Sequence, residues 1–192
     1  MPHPARIEVA DITRATRALI EERGLESVTM REIARRLGVQ APSLYFHVES
    51  RDDLLRLLIT EGLKEIAVGQ ADAAAGKSAR AGLHALADAY VAFAEANPAL
   101  FSLIMGPCPE ERMADADEAA AASEPLLASV AAIVAPERVL AVSQIFWSLV
   151  HGFTALGIAD QFRLGGDPPA AMHEAIDLLL AGMGVAEAPD AV

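Results

Sequence analysis

The chain has 192 residues and a formal net charge of −12, and 53% of its residues are hydrophobic while only 5% are aromatic. This composition favours packed helices over sheets, where β-branched and aromatic residues are enriched. The single cysteine, Cys108, excludes an internal disulfide framework. No uncharged apolar stretch of membrane-spanning length stands out, and the first residues lack the apolar core of a signal peptide, so we expect a cytoplasmic protein.

The negative charge is distributed unevenly along the chain. Residues 1–56 contain nine Arg and nine Asp or Glu, whereas residues 57–192 contain six Lys or Arg and eighteen Asp or Glu. The second part therefore carries the whole net charge. Because an acidic surface repels the phosphates of DNA, only the near-neutral N-terminal part is a plausible surface for nucleic acid.

The first predicted helix covers residues 7–23. Ile12 and Leu19 lie on one face at helical spacing, and Gly24 is suited to end the helix. Residues 1–6 are predicted to be a mobile arm, because chain ends are poorly ordered unless they are tied down.

Residues 29–48 carry the signals of two short helices joined by a tight turn. Thr29 and Glu32 have the spacing of a capping box, in which each side chain satisfies the free backbone N–H of the other residue. Gly38 can adopt a positive φ at low cost and is predicted to end the first helix. Pro42 is suited to the first turn of the second helix, where its missing N–H is not needed.

The second short helix is anchored by few residues. Leu44 and Val48 lie four residues apart and can both point inward, which is typical of a helix-turn-helix motif. A helix held so lightly can lie in the major groove of DNA. The side chains left to face the DNA are those of Gln40, Ala41, Pro42, Ser43, Tyr45 and His47.

Arginines of the motif add candidate DNA contacts. Arg31 lies near the N-terminus of the first short helix, and arginine can read guanine with two parallel hydrogen bonds. Arg35, Arg36 and Arg51 are candidates for neutralising phosphates. The alternative is an ordinary helical hairpin with a solvated arginine face, but the coincidence of turn, caps and outward-facing residues favours DNA binding.

Five segments within residues 10–58 share one pattern of framework residues: Gly24-Leu25, Val28-Thr29-Met30-Arg31-Glu32-Ile33-Ala34, Leu37-Gly38-Val39, Ser43-Leu44-Tyr45-Phe46-His47-Val48 and Arg51-Asp52-Asp53-Leu54-Leu55. Together they resemble the N-terminal domain of the TetR family of repressors. The resemblance implies a homodimeric, all-helical transcriptional regulator whose C-terminal domain binds a small effector. We therefore expect a repressor that a small molecule releases from a palindromic operator.

The resemblance also implies roles for single residues. We expect Arg31, Gln40 and Ser43 to read bases, and the other matched positions to fix the domain on the DNA backbone. Gln40 stands where many members have a serine cap, and Ala41 is too short to read a base by hydrogen bonding. The matched positions that touch bases or backbone in the family are Arg31, Ala41, Pro42, Ser43, Tyr45 and His47, and those that touch phosphates are Thr29 and Arg51.

A longer helix is predicted to follow the motif over residues 51–69. Ser50 is a suitable N-cap, and acidic residues in the first turn suit the helix dipole. The apolar residues of this helix occupy more than one face. We therefore expect it to connect a DNA-binding domain of residues 1–50 with a helical effector-binding and dimerisation domain of residues 51–192.

The rest of the chain is predicted to be helical as well. Ser78 and Pro98 are suited to begin helices over about 78–96 and 98–105. Residues 110–124 are acidic and alanine-rich, which leaves a frayed helix and a partly disordered loop both open. Three further helices are predicted over about 125–134, 136–160 and 168–183, followed by a disordered tail from Gly184.

The C-terminal part contains a cluster of aromatic residues around Trp147. Trp147 and His151 lie on one helical face and are followed by Gly152, a motif that resembles the effector domain of a TetR subgroup named for these three residues. The resemblance implies a cavity for a small, largely apolar effector. Core packing is the alternative for each aromatic residue, and a core hydrogen bond is favoured for His151. The candidate cavity residues are Tyr90, Phe93, Phe101, Met105, Phe146, Trp147 and His151.

The helices at about 136–160 and 168–183 are the expected homodimer interface. Two helices from each protomer would form a four-helix bundle that buries the stripe from Ile176 to Leu180. The alternative is that these stripes pack within one chain. Dimerisation is favoured because a two-fold DNA reader needs two recognition helices spaced by about one turn of DNA.

An enzyme is the competing class of protein. The sequence has no nucleophile motif, no phosphate-binding glycine loop and no close set of metal ligands, since His84, His151 and His173 are scattered. We therefore expect neither catalysis nor a cofactor nor a bound metal. A metal-sensing regulator and a protein–protein adaptor with a vestigial helix-turn-helix are the remaining alternatives.

Overall fold

The structure, a computed structural model, describes residues 7–183, and all regular elements within this range are helical. The fold is therefore all-α, as predicted. The predicted arm (1–6) and the predicted tail from Gly184 lie outside the described residues. The α-helices are α1 (Val9–Arg23), α2 (Met30–Leu37), α3 (Ala41–Leu44), α4 (Arg51–Ala74), α5 (Ala79–Ala96), α6 (Pro98–Met105), α7 (Ala116–Ala131), α8 (Val139–Ile158) and α9 (Pro168–Gly182). Short 3₁₀ turns occupy Leu25–Ser27, Glu110–Arg112 and Pro136–Arg138.

The chain divides into two compact units that do not follow the predicted boundary at residue 50. The first unit comprises residues 1–63 and 97–119, and the second comprises residues 64–96 and 120–192. α6 thus groups with the helix-turn-helix motif, although its sequence position predicts that it lies in the effector domain. α4 contributes residues to both units.

The first unit is built around the bundle of α1, α2 and α3. Ile12 and Leu19 of α1, Ile33 of α2 and Leu44 of α3 are almost completely buried. Burying an aliphatic side chain of this size contributes about 1.5–3 kcal/mol relative to leaving it in water. These residues are the inward positions of the predicted helical patterns, so the helix-turn-helix is held by the apolar face that the sequence indicates.

α6 is attached to α1 by polar contacts at its N-terminus. The Glu21 carboxylate accepts hydrogen bonds from the backbone N–H groups of Ala99 (3.1 Å) and Leu100 (2.8 Å). Arg17 Nη2 donates to Asn97 Oδ1 at 2.8 Å. The first N–H groups of a helix have no acceptor inside the helix, and negative charge is favourable beside them. These contacts therefore hold the start of α6 against α1.

α4 and α6 approach each other closely at Gly62, which is buried in α4. A Cβ atom at this position would lie 2.4 Å from Ile104 Cδ1 and 3.6 Å from Leu100 Cδ2. Glycine inside a helix costs about 1 kcal/mol relative to alanine, but here it leaves room for Ile104. This packing and the contacts with α1 explain why α6 groups with the first unit.

The stretch 110–124, for which the sequence leaves two alternatives open, contains a 3₁₀ turn and the first half of α7. Arg112 Nε donates to Asp52 Oδ1 at 2.6 Å. Pro125, which is predicted to begin a helix, lies inside α7 instead. The alanine-rich residues before it have the highest helix propensity, which outweighs the hydrogen bond lost at proline.

Two other helices differ in length from the prediction. α3 ends at Leu44 and does not reach Val48, because Leu44 O accepts the N–H groups of both His47 (2.9 Å) and Val48 (3.1 Å) in a turn. α4 continues five residues beyond Gly69 to Ala74. The extra residues of α4 are mostly alanine, which favours helix.

The second unit has a core formed by α5, α8 and α9. On α9, Met172, Ile176 and Leu180 recur every four residues and are almost completely buried within the single chain. The prediction that the stripe from Ile176 to Leu180 forms the dimer interface is therefore wrong. Its spacing places it on the side of α9 that packs against the neighbouring helices, so this stripe is part of the protomer core.

The segment Pro136–Ile158 has the length and apolar composition of a membrane span. Apolar helices in the core of a soluble protein meet the same criterion, and 28% of its apolar window is buried here. The segment is thus weak support for a membrane span, and much of its apolar surface lies outside the protomer core.

Candidate nucleic-acid interface and ligand cavity

The turn between α2 and α3 is fixed by backbone hydrogen bonds. Gly38 adopts the left-handed conformation predicted for it, with φ 70° and ψ 26°. Its N–H donates to Arg35 O at 3.3 Å, and the N–H of Val39 donates to Ala34 O at 3.0 Å. This pair of bonds is a Schellman motif, which ends α2 and lets α3 begin three residues later.

The side chains predicted to contact DNA are accessible on the helix-turn-helix motif. Gln40 is the N-cap of α3, and its side chain makes no capping bond within the described chain, so its amide is available to a ligand. Thr29 Oγ1 accepts the N–H of Glu32 at 3.1 Å and keeps its own O–H to donate. The exposed members are Thr29, Arg31, Gln40, Pro42, Tyr45 and His47, and the partly buried members are Ala41, Ser43 and Arg51.

Arg31 differs from the other arginines of this motif because it has no hydrogen bond or ion pair with any described residue. Arg35 donates to both oxygens of Glu32, at 2.9 and 2.7 Å. Arg36 pairs with Glu22. These pairs reduce the charge that two of the predicted phosphate-neutralising arginines can offer, and they leave Arg31 as the cation available to DNA.

Only half of the predicted capping box forms at the start of α2. The Glu32 carboxylate accepts hydrogen bonds from Arg35 and, at 2.8 Å, from Arg23 instead of the N–H of Thr29. The Arg35 hydrogen bond and the positive charge of both arginines lower the pKa of Glu32 from 4.5 to about 2, although some desolvation opposes this shift. The same pairing raises the pKa of Arg35.

Arg51 has a structural role that its sequence position does not reveal. Its Nε donates to Val28 O at 2.7 Å, and its Nη2 donates to Leu25 O at 3.0 Å. Its Nη1 lies 4.0 Å from Asp52 Oδ1. The guanidinium thus ties α4 to the connection between α1 and α2, which limits the predicted phosphate contact to what Nη1 can reach.

Phe46 is an exposed aromatic residue that is not among the predicted DNA contacts. Its side chain is 88% exposed, compared with 54% for the neighbouring Tyr45. The signal was present in the sequence: the buried residues Leu44 and Val48 are four apart, so all three residues between them point outward. An exposed aromatic ring at this place can make an apolar contact with a thymine methyl group.

In the second unit, three of the predicted ligand-binding residues contact one another. Tyr90 Oη lies 3.0 Å from His151 Nδ1, and the rings of Trp147 and His151 stack with centroids 5.2 Å apart. Burial raises the pKa of Tyr90, while a hydrogen bond with Trp147 acts in the opposite direction. Of the other four, Phe146 is buried and Phe93 half-buried in the second unit, whereas Phe101 and Met105 belong to the first unit.

A cavity of about 240 Å³ opens within the second unit, lined by residues of α5, α8, α9 and the connection before α9. Its lining contains none of the seven predicted ligand-binding residues. Two carboxylates, those of Asp88 and Glu95, lie in a lining that is otherwise mainly apolar. The stacked rings of Phe153 and Phe162, with centroids 5.7 Å apart, form part of its wall.

Two histidines that are far apart in the sequence meet between α5 and α9. The rings of His84 and His173 lie 4.8 Å apart. His84 Nε2 is 2.7 Å from Asp177 Oδ1, and His173 Nε2 is 2.7 Å from Asp88 Oδ1. No group of three metal-ligating side chains within residues 7–183 has an arrangement that could hold a metal ion. These contacts therefore act as cross-links between the two helices.

Both ends of the chain match known protein families. Residues 12–58 match the bacterial regulatory proteins of the tetR family, and residues 83–179 match the tetracyclin repressor-like C-terminal domain. The second match alone spans half of the chain. The chain therefore belongs to the TetR family, as predicted.

Individual relatives agree with this assignment. An uncharacterised HTH-type transcriptional regulator of Mycobacterium tuberculosis is 28% identical over 191 residues, which covers 94% of this chain and 83% of the relative. The class D tetracycline repressor of Escherichia coli is 35% identical over 57 residues, or 30% of this chain and 26% of that protein. A TetR variant from Acinetobacter baumannii, crystallised with minocycline, has a similar fold, with a TM-score of 0.69 and 22% identity over 93% of this chain and 97% of that one.

The helix-turn-helix geometry and these similarities together define the class of protein. It is a DNA-binding transcriptional regulator with the TetR fold, and the family is one of regulators and not of enzymes. Regulators of this family bind DNA operators and small-molecule ligands and act as dimers. The Trp-His-Gly subgroup stays a prediction.

Proposed function

We propose that this chain is a cytoplasmic, homodimeric repressor that binds a short palindromic operator and releases it when a small effector binds. The observation that carries the proposal is the helix-turn-helix surface, where an unpaired Arg31 and the exposed Gln40 and Tyr45 stand beside firmly buried anchors. The class D relative is a tetracycline repressor, which supports repression, and the Acinetobacter neighbour is a complex with minocycline, which supports effector binding.

On the operator, each exposed side chain has a distinct role. Arg31, Gln40 and Ser43 read base edges in the major groove. Phe46 adds an apolar contact with a thymine methyl group. The residues that position the domain on the DNA backbone, or lie against it, are Thr29, Ala41, Pro42, Tyr45, His47 and Nη1 of Arg51.

The homodimer is held by the outer faces of α8 and α9. Ile145, Leu149 and Leu156 recur at helical spacing on one side of α8, and Ile145 is 52% exposed in the single chain. Gly152 lies in the same row, and no atom lies within 4 Å of where its Cβ would be, so a second helix can approach closely. Leu178 extends the apolar surface onto α9, where it is 68% exposed. Pairing with a second copy would bury this surface.

Release of the operator depends on α6 and α4. Glu21 joins α1 to the start of α6, and Gly62 brings α4 against α6, so a displacement of α6 moves two helices of the DNA-binding unit. An effector changes DNA binding only if it prefers the state in which the two recognition helices are wrongly spaced. The seven predicted cavity residues, Tyr90 among them, remain candidate effector contacts.

The first test is selection of operator DNA. Random and genomic duplexes are incubated with the purified full-length protein at several salt concentrations, and the retained sequences are read. An enriched palindrome with half-sites about one helical turn apart is the expected result. No enrichment with a folded, dimeric sample would contradict the proposal and favour a protein–protein adaptor.

A further inference from the structure

We propose that the cavity of the second unit binds an organic cation with an apolar body, in the manner of a small aromatic amine. The inference rests on the proposed function, because it names the chemical class and the site of the effector. It assigns the site to residues of α5, α8 and α9 other than the seven that the sequence predicts.

The size and walls of the cavity suit a small apolar body. Its volume of about 240 Å³ is close to the lower end of the range for ligand pockets, about 300–1,000 Å³. Phe153 and Phe162 stack beside Met172 in the lining, so an aromatic or aliphatic group can be buried against them.

The charge of the lining selects a cation. Asp88 and Glu95 lie seven residues apart on α5, which places both carboxylates on one face about two turns apart. Asp88 is already bonded to His173. Glu95 is exposed and has no hydrogen bond or ion pair with the described residues. The lining contains no Lys, Arg or His, so a ligand cation meets no positive charge there.

The aromatic wall and the free carboxylate act on the same ligand group. The face of an aromatic ring attracts a cation, and this attraction is stronger when the cation leaves water. An ammonium group at Glu95 would therefore be held by its charge while the apolar body packs against Phe153 and Phe162. An anion of the same size would be repelled by both carboxylates.

The place of Glu95 in the chain links the cavity to the proposed release of DNA. Glu95 lies two residues before Asn97, whose side chain accepts a hydrogen bond from Arg17 of α1. α6 begins at Pro98. A ligand that orders the end of α5 therefore acts on the chain segment immediately before α6.

The test uses three probes of matched size: benzylammonium, benzyl alcohol and benzoate. Their dissociation constants for the purified full-length protein are measured by ligand-observed NMR. We expect benzylammonium to bind about tenfold more tightly than benzyl alcohol, and benzoate to bind least. Glu95→Gln should remove this preference, whereas Glu124→Gln, the same change at an exposed position of α7 outside the lining, should leave it intact.

Further variants separate this site from the predicted one. Phe162→Ala should weaken benzylammonium binding about tenfold, and Tyr90→Phe should leave it unchanged. Equal binding of all three probes, no binding of benzylammonium, or a loss with Tyr90→Phe but not with Glu95→Gln would overturn the inference.

Operator binding is measured on the same samples. A protein that binds a palindrome but not benzylammonium keeps the proposed function and loses this inference. A protein that binds benzylammonium through Glu95 but selects no DNA keeps the cation site, and the proposed repressor function then fails.

Discussion

Arg31 offers its guanidinium to DNA because no acidic side chain in the described part of the chain accepts its hydrogen bonds. Arg31→Ala should weaken operator binding by about 1–3 kcal/mol and relax the preference at one base position. The measurement is fluorescence anisotropy with the selected operator and its single-base variants. Arg14→Ala is the control, because Arg14 is exposed on α1 and pairs only with the nearby Asp11. An equal loss on all sequences would mean that Arg31 contacts a phosphate.

Phe46 is a second residue whose substitution should separate DNA binding from stability. Because its ring is almost fully exposed, Phe46→Ala should change the free energy of unfolding by less than about 0.5 kcal/mol. Affinity for the operator should fall, because the apolar contact with the groove is lost. Urea unfolding and anisotropy measure the two effects, and Val68→Ala, at an exposed position of α4, is the control. Unchanged affinity would remove Phe46 from the DNA surface.

Glu32 makes the stability of the DNA-binding unit sensitive to acid. Its pKa is lowered from 4.5 to about 2 in the folded chain, so its contribution to stability is complete above pH 4.5 and is lost as the pH falls towards 2. The difference in Tm between the wild type and Glu32→Gln should therefore be largest near neutral pH and shrink below pH 4.5. Added salt should reduce this difference, because the carboxylate and its arginine partners are screened by solvent. A constant difference down to pH 2 would contradict the assignment.

At the scale of elements, α4 carries two glycines whose surroundings differ. A Cβ at Gly69 would have no atom within 4 Å, whereas a Cβ at Gly62 would lie 2.4 Å from Ile104 Cδ1. Gly69→Ala should therefore stabilise the protein by about 1 kcal/mol through helix propensity. Gly62→Ala should gain less or destabilise, because Ile104 must move. Urea unfolding of both variants is the measurement, and equal stabilisation would mean that α4 and α6 are not in close contact.

Local signals explain why most helix boundaries could be predicted. Ser50 caps α4 through a 3.0 Å hydrogen bond from the N–H of Asp53, and Pro98 begins α6 where it is predicted to. A cap or a proline acts on backbone groups within about one turn, so its effect can be read from neighbouring residues. α7 departs from the prediction because the helix propensity of its alanines outweighs the signal of Pro125.

For the whole molecule, the main prediction concerns the homodimer. Ile145→Glu and Leu178→Glu each place a charge on the proposed interface and should shift the protein from dimer to monomer. Because two recognition helices are needed for a palindrome, operator affinity should fall with the dimer fraction. Leu140→Glu is the control, since Leu140 is exposed on α8 about 140° around the helix from Ile145.

Light scattering and sedimentation measure the mass of each variant at the concentration used for DNA binding. A dimeric Ile145→Glu protein with unchanged operator affinity would contradict the proposed interface. A monomeric Leu140→Glu protein would move the interface to the other side of α8.

The sequence by itself determined the family, the all-α fold and the residues that anchor the helix-turn-helix. These features depend on caps, turns and apolar spacing, which operate over a few residues. It also placed Tyr90, Trp147 and His151 in one cluster, because two of the three lie a single helical turn apart and the motif supplies the third.

Only the tertiary structure decided which elements and charges are partners. Glu21 caps α6 at Leu100, 79 residues away, and His84 meets Asp177 across 93 residues. The partners of Arg51 and the burial of Ile176 within one chain likewise depend on how separate helices pack. Such contacts follow from three-dimensional proximity, and no local pattern in the sequence encodes them.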